Sequence, residues 1–313
     1  MSGASSGLRG GPSTLMRWAR ETGLVADAAG ERRLSAMRLE LLAEGALPGR
    51  GRAHVELTAQ WAALICWVDD RVDRLGAGAC PGEVERLTAA LRRVVTCGGL
   101  PAGPVVAQAV VLEQLWERTA QGMPAAWRER FTHDYVDFLD ATDQEVALRR
   151  TGKRLSLDRY VLLRRRTITL LPMLDILERT GDAPLVQDPA VDTRVRDLRW
   201  AVADVAGWAN DLASAADDAA AGQDNLVAVL ARQFGCPQDA ARLRAAAMIE
   251  ERRSGLHATA AALRTAPGLA SERSRALCRY VELVETFMAA TLRWLAATGR
   301  FAPAPRNALI PDL

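Results

Sequence analysis

The chain contains a single lysine, Lys153, among 40 basic residues, so arginine carries nearly all of the positive charge. With 38 acidic residues the net charge is only +2, which is too balanced to indicate nucleic acid or an anionic membrane as the main partner. Aromatic residues make up only 5% of the chain. An apolar fraction of 49% and a charged fraction of 25% exclude disorder throughout, and they also exclude a collagen-like or disulfide-scaffold protein.

Cysteine and long apolar runs are also sparse. The five cysteines are an odd number, widely spaced and without a CxxC pair, which favours a reduced, cytoplasmic chain over a secreted one. Residues 1–14 have no apolar segment typical of a signal peptide. Asp69 and Asp70 interrupt the best apolar run, 61–68, which is shorter than the roughly 18 residues of a membrane span.

Alanine, leucine and arginine dominate the chain, and phenylalanine, tyrosine, isoleucine and threonine are few, which favours helices over strands. Apolar spacing of three and four residues between Gly/Pro-rich breaks predicts ten or eleven helices and no strands. The predicted helices are 14–26, 31–45, 54–75, 82–96, 103–120, 124–149, 156–180, 189–219, 223–234, 237–264 and 270–298. We therefore predict an all-α fold with one domain over 14–301 and mobile tails at 1–13 and 302–313.

The first candidate site lies near the end of an apolar helix, in the sequence WVDDRVD at 67–73. Asp69 and Asp73 are four residues apart and share one helix face. Two carboxylates at the mouth of a buried helix suit a hard cation such as Mg²⁺. A solvated acidic helix end, with its charges paired to Arg71 and Arg74, is the alternative.

The second candidate site is the sequence NDLASAADD at 210–218, which follows the apolar stretch 201–209. Asn210, Ser214 and Asp218 recur every four residues and form one column along two helical turns. An amide, a hydroxyl and a carboxylate in line can bind a second hard cation. A polar helix face pointing to water is the alternative.

Together, DDRVD at 69–73 and NDLASAADD at 210–218 resemble the paired metal motifs of bacterial class I terpene synthases. The family's second motif ends in Glu, and this chain has Asp218 at that position. RRRT at 164–167 resembles the family's RRxT segment, and the segment 294–301 resembles WxxxxxRY with Phe301 in place of Tyr. GQDNLV at 222–227 resembles a segment that often follows the second motif. Taken together, these motifs extend the resemblance from about residue 55 to 301.

The resemblance implies a class I terpene cyclase, a carbon–oxygen lyase with an all-α bundle around a central apolar cavity. Its implied substrate is a linear prenyl diphosphate, either geranylgeranyl or farnesyl diphosphate, and its implied cofactor is Mg²⁺, about three ions that Mn²⁺ can replace. It assigns Asp69, Asp73, Asn210, Ser214 and Asp218 to the metal. A homodimer is also compatible with the resemblance.

The remaining implied roles concern the diphosphate and its ionisation. Arg164 stands at the diphosphate-sensor position, and Arg300 is a second diphosphate-binding cation. Thr167 takes the linker role, and Ile168 provides a carbonyl that faces the departing carbon. Pro172 should kink the helix predicted over 156–180.

The carbocation that ionisation leaves needs a dry, mostly apolar chamber whose aromatic faces stabilise it. We expect Trp294 and Trp208 in its wall, and Ala62, Ile65 and Cys66 one or two turns before Asp69. Because those three side chains are small and aromatics are few, we expect a roomy pocket. A roomy pocket would favour the C20 substrate. The base rate of the family favours the C15 substrate, and these two arguments nearly cancel, with a slight preference for C20.

Two other functions are compatible with this sequence. A chain-elongating prenyltransferase would share the fold, but it would carry a second DDxxD motif and several lysines to bind a second diphosphate. A helical protein that binds prenyl diphosphates without turning them over is the other alternative, because Asp218 and Phe301 depart from the family motifs. Product formation from a prenyl diphosphate distinguishes these possibilities.

Overall fold

The computed structural model describes residues 13–76, 82–100, 106–185, 188–267 and 269–301. These residues form thirteen α-helices and no strands, so the predicted all-α fold is confirmed. Of the predicted tails at 1–13 and 302–313, residues 1–12 and 302–313 lie outside the described residues, whereas Ser13 caps the first helix. The helices are α1 (Thr14–Glu21), α2 (Ala28–Met37), α3 (Leu39–Ala46), α4 (Arg52–Gly76), α5 (Glu83–Cys97), α6 (Ala107–Ala120), α7 (Ala125–Thr151), α8 (Leu157–Thr167), α9 (Leu170–Thr180), α10 (Asp192–Ala220), α11 (Leu226–Phe234), α12 (Gln238–Arg264) and α13 (Ser271–Ala297).

The helix predicted over 31–45 is divided at Arg38, which was not expected. Arg38 has a left-handed backbone with φ of 53°, and it ends α2 immediately before α3 begins. The guanidinium of Arg38 donates to the carbonyl of Ala297, and α3 packs along α13. No glycine or proline marks this point, so the break depends on tertiary contacts with α13 rather than on a local turn signal.

The helix predicted over 156–180 is divided at Ile168 and Thr169, not merely kinked. Thr169 adopts a left-handed backbone with φ of 63° before α9 begins. A helix that continued through this point would need an N–H from residue 172 to the carbonyl of Ile168, and Pro172 has none. In the first turn of α9, where Pro172 lies, a backbone N–H has no partner within the helix, so proline is tolerated there. The proline therefore acts as a helix start rather than as a kink within a helix.

Helix α10 forms the centre of the bundle. It packs against α8, α9, α11, α12 and α13, and every residue from 201 to 209 is buried. Small residues alternate with larger ones along this stretch, so neighbouring helices can approach α10 closely. Within the described ranges, no helix is both long enough and apolar enough to cross a bilayer.

A buried polar network crosses the core. The guanidinium of Arg199 on α10 donates to the hydroxyl of Tyr280 at 2.9 Å and to the carboxylate of Asp134 at 2.8 Å. It also lies 3.0 Å from the carboxylate of the fully buried Asp175. Burial and the charge of Asp175 raise the pKa of Asp134 to about 6. The network joins α7, α9, α10 and α13 through charges that are costly to bury unless they are paired.

This network predicts a pH-dependent stability. The pKa of a free aspartate is about 3.9, so between about pH 4 and pH 6 the native state binds more protons than the unfolded chain. Protonated Asp134 therefore stabilises the native state at low pH, and about 3 kcal/mol of this contribution is lost as the pH rises from about 4 through 6. Asp134→Asn should remove this dependence in urea unfolding at pH 5 and pH 7.5. An equal pH slope in both proteins would contradict this assignment.

Candidate active site

The first acidic segment occupies the last two turns of α4. The guanidinium nitrogen Nη2 of Arg300 lies 2.5 Å from Oδ2 of Asp69 and 3.0 Å from Oδ1 of Asp70. The Nη1 nitrogen of Arg300 also contacts the sulfur of Cys66 at 3.3 Å. The structure therefore places the residues after α13 over the end of α4, and it brings three of the predicted site residues together, Cys66, Asp69 and Arg300.

Asp73 faces a different set of partners. Its Oδ1 accepts from Nη1 of Arg149 at 3.0 Å and from the amide of Gln223 at 3.1 Å. Burial, and then the neighbouring charge of Asp69, raises the pKa of Asp73. Asp73 thus connects α4 to α7 and to the loop that follows α10.

The second acidic segment lies along one face of α10. The hydroxyl of Ser214 donates to Oδ2 of Asp218 at 2.7 Å, and the amide of Asn225 donates to the same oxygen at 3.1 Å. Oδ1 of Asn210 accepts from Arg164 at 2.9 Å. Burial raises the pKa of Asp218. The three oxygen-bearing side chains are therefore oriented by hydrogen bonds within the site.

Asp211 lines the inner cavity described below, and the sequence analysis left it without a role. It is 2% exposed, and its carboxylate accepts from the hydroxyl of Tyr160 at 2.7 Å and from the backbone N–H of Leu226 at 3.1 Å. Its other oxygen accepts from Nε of Arg164 at 2.8 Å. Although burial disfavours a cation, the Asp211 carboxylate raises the pKa of Arg164 and keeps it charged. Asp211 therefore holds Arg164 in place.

The three consecutive arginines of α8 have different environments. Arg164 lines the cavity described below. Arg165 donates to both oxygens of the buried Asp204, at 2.8 and 2.9 Å. Arg166 pairs with the half-exposed Asp137 at 2.7 Å. Only the first of them is therefore placed to contact a ligand in that cavity.

A cavity of about 300 Å³, here called the inner cavity, lies between the two acidic segments. Eight carboxylates and four arginines line it, which leaves an excess of four negative charges. The carboxylates are Asp69, Asp70, Asp73, Glu145, Asp211, Asp217, Asp218 and Asp224, and the arginines are Arg33, Arg149, Arg164 and Arg300. This excess and the oxygen-rich donor set fit hard divalent cations. Among the described residues, no three His, Cys, Asp or Glu side chains converge closely enough to hold a metal ion alone.

Helix α7 forms a third wall that the sequence analysis missed. Phe138, Thr142, Glu145 and Arg149 line the inner cavity from one face of this helix. Their spacing of four, three and four residues is a helical stripe, and it is the signal that could have identified them. Burial raises the pKa of Glu145, whose carboxylate accepts from Nη2 of Arg149 at 3.1 Å.

The apolar part of the inner cavity differs from the expected chamber wall. Met37, Val72, Phe138 and Phe301 line it in this structure. Thr167 lines the cavity as well, next to the break between α8 and α9.

The five residues expected in the chamber wall do not line the inner cavity as the described residues define it: Ala62, Ile65, Cys66, Trp208 and Trp294. Trp294 is buried with its indole N–H donating to the carbonyl of Met37 at 2.6 Å. Cys66 is buried beneath Arg300, where burial raises the pKa of its thiol to about 11. Met37 and Arg300 thus lie where these side chains were expected, and a role of the five in the chamber stays a prediction.

The chain matches known proteins along most of its length. Residues 60–254 match terpene synthase family 2, C-terminal metal binding. The chain is 28% identical to pristinol synthase of Streptomyces pristinaespiralis over 91% of this chain and 78% of that protein. It is also 28% identical to a (-)-beta-caryophyllene synthase ((2E,6E)-farnesyl diphosphate cyclizing) of Saccharothrix espanaensis over 76% of this chain and 67% of that protein.

The fold has solved counterparts. The crystal structure of linalool/nerolidol synthase from Streptomyces clavuligerus superposes with a TM-score of 0.80 at 23% identity, over 90% of this chain and 93% of that chain. The helical fold and the facing polar segments define an all-α enzyme with a metal-binding region. The chain belongs to terpene synthase family 2, as the match over residues 60–254 shows, and it is a lyase.

Proposed function

We propose that the chain is a Mg²⁺-dependent cyclase that ionises farnesyl diphosphate and cyclises the resulting carbocation with release of diphosphate. The observation that carries this proposal is the excess of four negative charges around the inner cavity, between two acidic segments that line it together. The substrate is inferred from the relative that is named as cyclizing (2E,6E)-farnesyl diphosphate.

The proposed metal ligands are Asp69 on α4 and the column of Asn210, Ser214 and Asp218 on α10. Metal bound there would neutralise the diphosphate and lower the barrier to breaking the C–O bond. Since the protein ligands around each ion are few, diphosphate and water oxygens would complete the coordination. Asp73 would influence the metal indirectly rather than bind it, because its carboxylate accepts hydrogen bonds from Arg149 and Gln223.

The chain's own residues would orient the substrate around this centre. Arg164 and Arg300 would donate charge-assisted hydrogen bonds to diphosphate oxygens. Thr167 would link Arg164 to Ile168. The carbonyl of Ile168 receives no helical hydrogen bond from residue 172, because Pro172 has no N–H. Phe138, which lines the cavity, would present an aromatic surface to the carbocation, and the apolar wall around it would exclude water.

Product analysis tests the proposal. Incubation of the purified chain with farnesyl diphosphate and Mg²⁺, followed by extraction and mass spectrometry, should yield a cyclic C15 terpene and inorganic diphosphate. Excess EDTA should stop the reaction. Binding of the substrate without any product would favour a non-catalytic homologue, and elongation in the presence of isopentenyl diphosphate would favour a prenyltransferase.

The second prediction concerns substrate length. When both diphosphates compete, we expect farnesyl diphosphate to be consumed first, because the inner cavity has a volume of only about 300 Å³ and few apolar side chains line it. Phe138→Ala should enlarge it and raise the share of geranylgeranyl diphosphate consumed at least about fivefold. Leu162→Ala, which changes an exposed side chain of α8, is the matched control. Preference for the C20 substrate by the parent protein would contradict the proposed substrate.

The third prediction separates Arg164 from its neighbours. Arg164→Ala should reduce turnover at least about 100-fold, and it should also lower the free energy of unfolding by about 2 kcal/mol, because Asp211 loses a buried partner. Arg166→Ala, which removes a surface ion pair, should change both quantities little. Kinetics and urea unfolding of the two variants provide the measurement. Equal losses of turnover would instead indicate a generic basic surface.

The identity and number of the metal ions, and the oligomeric state, can be measured directly. We propose Mg²⁺ as the physiological ion, about three per site, which metal analysis of the diphosphate complex would count. A homodimer stays a prediction that sedimentation velocity tests.

A further inference from the structure

A second cavity, here called the outer cavity, borders the inner one. It has a volume of about 590 Å³ and lies between the end of α7, the turn before α8, and the loop that follows α10. Arg149 and Arg164 line both cavities, as do all five carboxylates of the outer cavity. A ligand could therefore pass from one cavity to the other alongside these two arginines.

The two cavities differ in formal charge. Six cations and five carboxylates line the outer cavity, so it carries a formal excess of one positive charge, whereas the inner cavity carries an excess of four negative charges. The difference comes from four cations that line only the outer cavity, Arg74, Arg150, Lys153 and Arg154. Without metal ions, a diphosphate anion is therefore repelled less by the outer cavity than by the inner one.

The carboxylates of the outer cavity are engaged by the protein. Asp73 accepts from Arg149, and Asp224 pairs with both Arg154 and Arg232. By contrast, among the described residues the side chains of Arg74 and Lys153 line this cavity without a hydrogen-bond or ion-pair partner. Two cations at the rim are thus available to an incoming anion.

We propose that the outer cavity is a metal-independent docking site for a diphosphate group, with Arg74 and Lys153 at its rim and Arg149 where it meets the inner cavity. The proposal rests on the proposed function, because it places there the diphosphate group that the enzyme takes up and releases. Arginine and lysine are suited to this task because both donate several charge-assisted hydrogen bonds to phosphate oxygens. Docking there would concentrate the substrate before the metal-bound arrangement forms.

Calorimetric titration of the full chain with inorganic diphosphate in EDTA tests the proposal. The parent chain should bind, and the double variant Arg74→Gln/Lys153→Gln should bind about 10-fold more weakly. Arg159→Gln is the matched control, since Arg159 is an exposed cation of α8 that lines neither cavity, and its affinity should stay within about twofold of the parent value. Absence of binding by the parent chain, or equal weakening in the control, would overturn the proposal.

Substitutions of Arg149 and of its partner Asp73 should change the diphosphate affinity in opposite directions. Arg149→Gln should weaken metal-free diphosphate binding, whereas Asp73→Asn should strengthen it, because a negative charge is removed and Arg149 is released. A pair with a purely structural role would not move the affinity in opposite directions. Weaker binding in both variants would therefore overturn the role of Arg149.

The single lysine allows a chemical test as well. Pyridoxal 5′-phosphate forms an imine with an amine and loses water, and borohydride then reduces the imine to a stable secondary amine. Peptide mapping should find the label on Lys153, and inorganic diphosphate, but not sulfate at equal ionic strength, should protect it. Labelling that diphosphate does not reduce would overturn the site. These assays do not depend on turnover, so their failure would be distinct from a failure of the proposed reaction.

Discussion

Replacing Asp69 with asparagine is expected to reduce turnover of farnesyl diphosphate at least about 1,000-fold, because the proposed metal ligand and a negative charge are lost together. The carboxylate of Asp69 lies at the end of α4 within the inner cavity, where Arg300 contacts it at 2.5 Å. Steady-state kinetics at saturating Mg²⁺ measure the loss, and Mn²⁺ titration followed by electron paramagnetic resonance measures the weakened binding of the ion.

Asp73→Asn is the matched control for this prediction. It removes the same charge from the same helix face, but Asp73 is engaged by Arg149 and Gln223, so we expect a loss of only about 10-fold. Full activity of Asp69→Asn, or full activity of the parent chain in excess EDTA, would contradict the metal role of the first acidic segment.

The other large effect is expected at Asp218, where Asp218→Ala should reduce turnover at least about 1,000-fold. Two hydrogen bonds, from Ser214 at 2.7 Å and from Asn225 at 3.1 Å, orient this carboxylate along the α10 column. Asp218→Glu should retain activity within about 100-fold of the parent, because it keeps the charge and adds one methylene. Single-turnover measurements with both variants report ionisation directly.

Asp217→Asn is the control at the adjacent position. Asp217 also lines the inner cavity, but it lies outside the column that Asn210, Ser214 and Asp218 form. We expect a much smaller effect of Asp217→Asn than of Asp218→Ala. If Asp218→Ala is as active as the parent chain while Asp217→Asn is not, the ligand is Asp217 and the assigned column is wrong.

Most of the helices could be predicted from the sequence, because apolar spacing and turn residues are local signals. The bounds of α10, at Asp192–Ala220, lie within three residues of the predicted 189–219. The divisions at Arg38 and Thr169 could not be predicted in the same way. Each is a left-handed residue that is not glycine, and the packing of the following helix selects its conformation.

The candidate site was predicted in part. Resemblance identified the two acidic segments and Arg164, and the structure brings them to one cavity. It did not identify the roles of Asp211, Glu145 and Arg149. The role of each residue depends on the side chains that it contacts. The sequence shows that a charged residue lies on a helix, but it does not show which residues it faces.

By itself, the sequence determined the all-α class and the columns of oxygen-bearing side chains on α4 and α10, since these depend on spacings of three or four residues. It also determined the small net charge, which depends only on composition. Only the tertiary structure decided that Arg300 pairs with Asp69 and that α7 forms a third wall. It also decided that the inner cavity, with its excess of carboxylates, borders a second cavity that four further cations line. Such contacts join residues more than 70 positions apart, as with Asp73 and Arg149, and they arise from how helices pack rather than from how each helix is encoded.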